Sequence, residues 1–307
     1  YGTIKYVDDW VVGSGHTANV VLKDGTRGIA FEAFSCDEII EKVTMPDTVK
    51  YINGCAFENC TNLSEVLLSS SLENIERGAF LNCSNLADIV IPDSVISITS
   101  DAFYNTALLN KQNTPVKYAG KWVITAEDCD KIVIKDGTKC IASYAFSSCT
   151  SLTDITIPGS VTMIGNAAFS SCTSLTDITI PDSVTSIGGS AFYNCPKLLD
   201  VTIPDSVTNI GDYAFGFDEN DEKIDGFKIY CYGGTAGEQY AKDNGFEYKI
   251  LECKVHKFGE WTITKEASCT KDGEKVRVCS LCNKTETETI PATGHTEVID
   301  KAVAATC

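Results

Sequence analysis

Residues 175–195 read LTDITIPDSVTSIGGSAFYNC, and closely similar strings precede and follow them. The alanine-phenylalanine pair near the end recurs as Ala33-Phe34, Ala56-Phe57, Ala79-Phe80, Ala102-Phe103, Ala145-Phe146, Ala168-Phe169, Ala191-Phe192 and Ala214-Phe215. Successive pairs lie 23 residues apart, except that 43 residues separate Phe103 from Phe146. A unit this short cannot bury its own apolar face, so consecutive units must stack and share one continuous core. The period therefore specifies a solenoid, an architecture that presents a surface and leaves its ligand unstated.

In the unit after Phe146, Ile155 and Ile157 point one way while Asp154 and Thr156 point the other, which reads as a short strand. Pro158 stops that strand because it has no N–H for the ladder. Val161 and Ile164 follow across a bend, and Gly165 is expected to permit the tight return before the next Ala-Phe. Phe169, Ile178, Ile180 and Ile187 fall at equivalent inward positions and define the expected core. Eight turns at a spacing of ~4.8 Å would give a parallel sheet about 35 to 40 Å long.

Written as a signature, the unit is Leu175-x-x-Ile178-x-Ile180-Pro181-x-Ser183-Val184-x-x-Ile187-Gly188-x-x-Ala191-Phe192-x-x-Cys195. This resembles the BspA-like class of leucine-rich repeats over roughly residues 1–251. The resemblance implies an α/β fold, a right-handed leucine-rich-repeat solenoid with a parallel sheet. It also implies a secreted or surface-attached bacterial protein whose role is adhesion or binding of host proteins, and it brings no catalytic residue. Ser69 departs from the pattern in the proline slot, and Thr106 and Asp218 depart in the cysteine slot.

A longer repeat accounts for the 43-residue interval. Lys5-Tyr6, Trp10 and Asp24-Gly25-Thr26 return 112 residues later as Lys117-Tyr118, Trp122 and Asp136-Gly137-Thr138, so the solenoid is a tandem duplication of a four-turn block. The second opening turn, residues 110–133, interrupts the stack midway. Its Lys117, Tyr118, Lys121 and Trp122 join two cations to two aromatic rings and are the candidate partner-binding residues. The alternative is that Tyr118 and Trp122 pack inward.

The solenoid occupies residues 1–251, with a C-terminal cap at about 224–251 in which residues 235–244 read as a helix between Thr235 and Gly245. The acidic loop 218–222 is read as solvated, since Lys223 stands where a calcium loop needs glycine. From residue 252 the composition changes to a small His/Cys module, residues 252–307, in which a second copy starts at His295 and breaks off at Cys307. Cys279-x-x-Cys282 has zinc-knuckle spacing, with Cys269 and His256 or His295 as further candidate ligands. A disulfide would staple so small a unit equally well, and free thiols are a third state. No other cofactor is expected.

The 307 residues carry a net charge of -17, which opposes binding to nucleic acid or anionic lipid. No apolar run reaches the ~18 residues of a membrane span. Cys60, Cys83, Cys149, Cys172 and Cys195 each lie three residues after the Ala-Phe phenylalanine, so they should form an inward, reduced ladder. There are three histidines, no catalytic motif, and in Asp154, Asp177 and Asp200 only a repeated framework, so no enzyme is expected. The sequence points to an extracellular binding or adhesion protein whose partner is a protein or glycan. The alternative is a spacer that holds another domain off the cell surface.

Overall fold

The structure, a computed structural model, describes residues 3–252, 256–280, 282 and 284–294. Among the described residues it is mostly sheet, with helix confined to α1 (Ala107–Asn110) and α2 (Ala236–Asn244). Each solenoid turn supplies two extended pieces, and these stack in separate lines. The second piece makes the longer runs: Gly28–Ile29, Tyr51–Ile52, Asn74–Ile75 and Ser97–Ile98 pair in parallel in the first block. Cys140–Ile141, Met163–Ile164, Ser186–Ile187 and Asn209–Ile210 do so in the second. The first piece pairs in shorter groups such as Asn19–Val21, Lys42–Thr44 and Glu65–Leu67.

The core is a stack of side chains in register. Phe34, Phe57, Phe80 and Phe103 lie face to face with ring centroids 5.0, 5.3 and 5.4 Å apart. Phe146, Phe169, Phe192 and Phe215 repeat the arrangement at 4.9, 4.9 and 4.8 Å. These separations follow the rung spacing of a parallel sheet. Phe169, Ile178, Ile180 and Ile187 are buried in the one cluster that runs through the solenoid, as their equivalent positions require.

Two features of the turn differ from the sequence reading or escape it. Gly165 does not supply a left-handed corner. A Cβ there would lie 2.6 Å from Ser143 N, and one on Gly188 would lie 2.5 Å from Asn166 N, so these glycines let adjacent turns touch backbone to backbone. The left-handed corners fall on other residues, one directly before the alanine (Ala167, Ser190, Tyr213) and one two after the phenylalanine (Asn59, Asn82, Ser171, Asn194). Asparagine suits this conformation better than most side chains. Here it also bonds along the stack, Asn82 Nδ2 to Asn59 Oδ1 at 2.8 Å and Asn105 Nδ2 to Asn82 Oδ1 at 3.0 Å.

The helix read at 235–244 is present as α2. Thr235 is the extended N-cap residue of α2, although its hydroxyl donates to Tyr232 O and makes no cap bond, and Gly245 closes the helix at φ 64°. Tyr240 from this helix lies edge-on to Phe215, the last ring of the ladder. Its hydroxyl accepts from Phe215 N and donates to Phe215 O, both at 2.9 Å. A phenol thus takes the place of the absent next turn. Residues 256–294, where described, carry a three-stranded antiparallel sheet of Thr262–Lys265, Gly273–Val278 and Thr285–Ile290. The copy beginning at His295 lies outside the described residues.

Phe169→Ala should cost about 3 to 5 kcal/mol through lost burial and the cavity left behind, and chemical denaturation measures it. Tyr240→Phe keeps the ring but strands the Phe215 N–H and C=O. A loss of about 1 to 3 kcal/mol is expected, with faster hydrogen exchange at Phe215 than in the interior turns.

Candidate functional site

The mid-solenoid excursion is an antiparallel hairpin, Val116–Ala119 with Trp122–Ala126, that enters after α1 and joins the second block through the parallel pairs Trp122–Cys140 and Val123–Ile141. It does not gather Lys117, Tyr118, Lys121 and Trp122 into an exposed patch. Trp122 is only 4% exposed. The reason lies across the pairing. In the opening turn, Trp10 lies over Gly28, where a Cβ would come within 2.4 Å of the indole, and stacks near Tyr51. The counterparts of Gly28 and Tyr51 in the second block are Cys140 and Met163, so that seat is filled. Trp122 instead enters the joint between blocks, beside Pro92, Val95 and Ile98.

The other three residues are engaged nearby. Lys117 donates to Gln112 O at 2.6 Å and pairs with Glu127 at 3.3 Å. The half-buried Tyr118 accepts from Lys135 N, and the Lys135 ammonium sits 3.9 Å from its ring centre. The opening turn repeats that arrangement with Tyr6 and Lys23. Lys121 reaches back across the joint to Asp93 at 2.9 Å, and this hydrogen bond, then its charge, holds the Asp93 carboxyl below its usual range. The excursion is therefore a joint between blocks.

The face of the first strand line remains. Its outward positions run Asn19, Lys42, Glu65, Asp88 and Lys131, and then the uniform Asp154, Asp177 and Asp200. Two residues further along each turn come Val21, Thr44, Leu67, Val90 and Val133, and then Thr156, Thr179 and Thr202. Val21, Leu67, Val90 and Val133 are 68%, 48%, 80% and 73% exposed. The register Val21–Thr44–Leu67 places the first of them in one row, and Val133 pairs with Thr156 as the row resumes. The first half of the face is thus varied and aliphatic, whereas the second repeats one polar pair.

The cysteine ladder turns inward. Cys60 and Cys83 donate to Phe34 O and Phe57 O at 3.1 Å, and Cys172 and Cys195 to Phe146 O and Phe169 O at 3.2 Å. Each thiol so satisfies the phenylalanine carbonyl of the preceding turn. Burial pushes Cys149 up to about 11 and Cys60 and Cys195 up to about 12, and raises Cys83 and Cys172 as well. The sequence reading missed that Asp37 occupies the same slot in the first turn. This buried carboxylate accepts from Ser14 Oγ and from Ile39 N, and lies 3.1 Å from His16 Nδ1. Serine and histidine converge on one acid oxygen, so no base faces the serine hydroxyl as a nucleophilic triad requires. In the acidic loop, Asp218 accepts from the backbone of Asn220 and Glu222, and these bonds hold its carboxyl below the usual range.

In the tail, His256, Cys279 and Cys282 come together, with their donor atoms all within 4.8 Å of one another. Hydrogen bonds with Cys279 and then Cys282 raise the His256 pKa. Cys269 is exposed and does not join them, and His295 lies outside the described residues. One sequence signal was passed over: Cys253 precedes His256 at the two-residue spacing of Cys279 and Cys282.

A family model described as BspA type leucine rich repeat region matches the chain in six copies, over residues 13–123 and 125–225. The gap between the two matches falls within the second hairpin. Among solved structures, the chain is similar to a leucine rich cell surface protein from Faecalibacterium prausnitzii A2-165, at 22% identity and a TM-score of 0.41 over 77% of this chain and 73% of that one. It is also similar to a T. pallidum leucine rich repeat protein, at 22% identity and a TM-score of 0.31 over 80% and 91%. A third is the pneumococcal vaccine antigen PcpA, at 20% identity and a TM-score of 0.35 over 75% and 73%. No curated protein matches the chain.

Native alkylation should spare Cys60, Cys83, Cys172 and Cys195 and label them only after denaturation, with the masses of modified peptides as the readout. Their contribution to stability has a definite sign. Burial favours the neutral thiol, so the unfolded chain loses the proton first, near the ordinary value of 9.0, and the fold only at about 12 for Cys60 and Cys195. The stabilisation is full below the first value and is lost as pH rises towards the second. Replacing both by valine should flatten that alkaline decline in melting temperature.

Proposed function

Because this chain belongs to the BspA-type leucine-rich repeat family, we propose that it is a non-enzymatic extracellular binding protein of a bacterial cell surface, and that its partner is a protein. The observation that carries this reading is the row Val21, Leu67, Val90 and Val133, four aliphatic side chains held in solvent on one face. Folding alone gives them no reason to be apolar, since Thr44, Thr156, Thr179 and Thr202 occupy the equivalent positions of other turns. An exposed apolar row flanked by charged residues is the composition of a contact surface. Aliphatic groups favour a protein segment over a sugar ring, which is met by aromatic faces. The lining of Asn19, Lys42, Glu65 and Asp88 changes from turn to turn and would supply specificity.

A second reading rests on a different observation. The Asp/Thr pairs from Asp154 to Thr202 are nearly identical from turn to turn, and a uniform face suits a spacer that only carries the first half outward. The test is to screen the full chain against extracellular-matrix proteins and a glycan array, and then to measure affinity for any protein captured. Leu67→Glu with Val90→Glu should weaken it about tenfold or more, a loss of at least ~1.4 kcal/mol, while Thr156→Glu with Thr179→Glu should leave it unchanged. Capture that is insensitive to the first pair, or confined to glycans, would overturn the assignment of this face. Absence of any capture favours the spacer.

A further inference from the structure

The tail buries almost nothing of its own. Among its described residues, from 256 to 294, only Gly273 and Cys279 are buried. Arg277 pairs with Glu286 and Lys275 with Glu288, and both cations flank the Trp261 ring, but these are surface contacts. Exposed ion pairs contribute little to stability. A unit of about 40 residues without a hydrophobic core ordinarily depends on a cross-link or a metal.

The one buried side chain sits where such a link would act. Cys279 ends the strand Gly273–Val278 and bridges Phe258, which ties the entering segment to the sheet. Lys257 N donates to Cys279 Sγ at 3.3 Å, Ser280 N donates to Lys257 O at 2.9 Å, and Cys279 N donates to Lys284 O at 2.8 Å. The last of these closes the turn that carries Cys282 back. Cys282 Sγ then stands 3.4 Å from His256 Nδ1. Metal bonds of about 2.3 Å to sulfur and about 2.0 Å to nitrogen, at a tetrahedral angle, would set those two atoms about 3.5 Å apart.

We propose that His256 Nδ1, Cys279 Sγ and Cys282 Sγ bind a zinc(II) ion that holds this sheet to the segment entering it. Two thiolates and an imidazole select zinc over the hard cations calcium and magnesium, which take oxygen ligands. Each cysteine binds as thiolate, and the two displaced protons pass to solvent. The Lys257 N–H aimed at Cys279 Sγ is the kind of outer donor that steadies a metal-bound thiolate. Among the described residues, three protein donors converge on the site.

The test uses the full chain, reduced, stripped of metal and titrated with cobalt(II) and then zinc(II). Cobalt should produce a sulfur-to-metal charge-transfer band and the intense visible bands of a tetrahedral site, and zinc should abolish both. Cys279→Ser, Cys282→Ser and His256→Ala should each lose the charge-transfer band, while Cys269→Ser keeps it. An unchanged melting temperature of the solenoid shows that a variant is folded. Hydrogen exchange across residues 273–278 and 285–290 should slow with zinc and quicken on chelation. The proposal fails if the reduced wild-type chain gives no such band, if Cys269→Ser removes it, or if peptide mapping finds Cys279 and Cys282 joined as a disulfide in a chain that takes up no metal once reduced.

Discussion

A turn of this solenoid cannot satisfy its own backbone. Within each block the N–H of a ladder phenylalanine reaches the alanine carbonyl of the next turn, as from Phe57 to Ala79 or Phe169 to Ala191, and its carbonyl receives the thiol of that next turn where cysteine is present. Cysteine works because it is small, apolar enough to bury, and still carries a weak donor. Interior turns are closed by their neighbours, so the difficulty moves to the ends. Tyr240 resolves it at one end with a hydroxyl that donates and accepts. In the first turn, Asp37 replaces the thiol with a carboxylate that gathers Ser14, His16 and the Ile39 N–H.

The duplicated block created a third place of this kind inside the stack. Among the described residues no ring contact links Phe103 to Phe146, and the hairpin of Val116–Ala119 and Trp122–Ala126 stands beside the break. The backbone still finds a way across, through the parallel bridge Thr99–Ser143 and the bonds from Ser100 N to Ser143 O and from Ser143 N to Ile98 O. Trp122 fills the joint with its ring, and Lys121 pairs with Asp93 over it. An aromatic, basic excursion that resembled a binding loop is thereby used for continuity.

The period, the core phenylalanines, the inward cysteines and the cap helix were legible because each follows from one repeated position or one local signal. The corners were less so. Gly165 suggested the freedom of a tight return, whereas the structure uses it for contact between turns, which depends on the neighbouring unit and not on local chain geometry. The fate of Trp122 turned on Cys140 standing where Gly28 stands in the first block, a difference visible in the sequence whose consequence needed the strand pairing. In the tail, spacing offered His256, Cys269, Cys279 and Cys282 alike; three of them come together and Cys269 stands apart, because the path of the sheet separates it from the others.

The C-terminal phenol engages Phe215 alone among the ladder rings, and that locality bears on how such a gene can change. Whole 23-residue units could be gained or lost between Phe146 and Phe215 by unequal recombination without altering either terminus, each event lengthening or shortening the stack by ~4.8 Å. Insertions of other lengths need a joint of the kind that stands between Phe103 and Phe146. Inheritance by whole rungs would leave reach free to vary among descendants while the ends stay fixed.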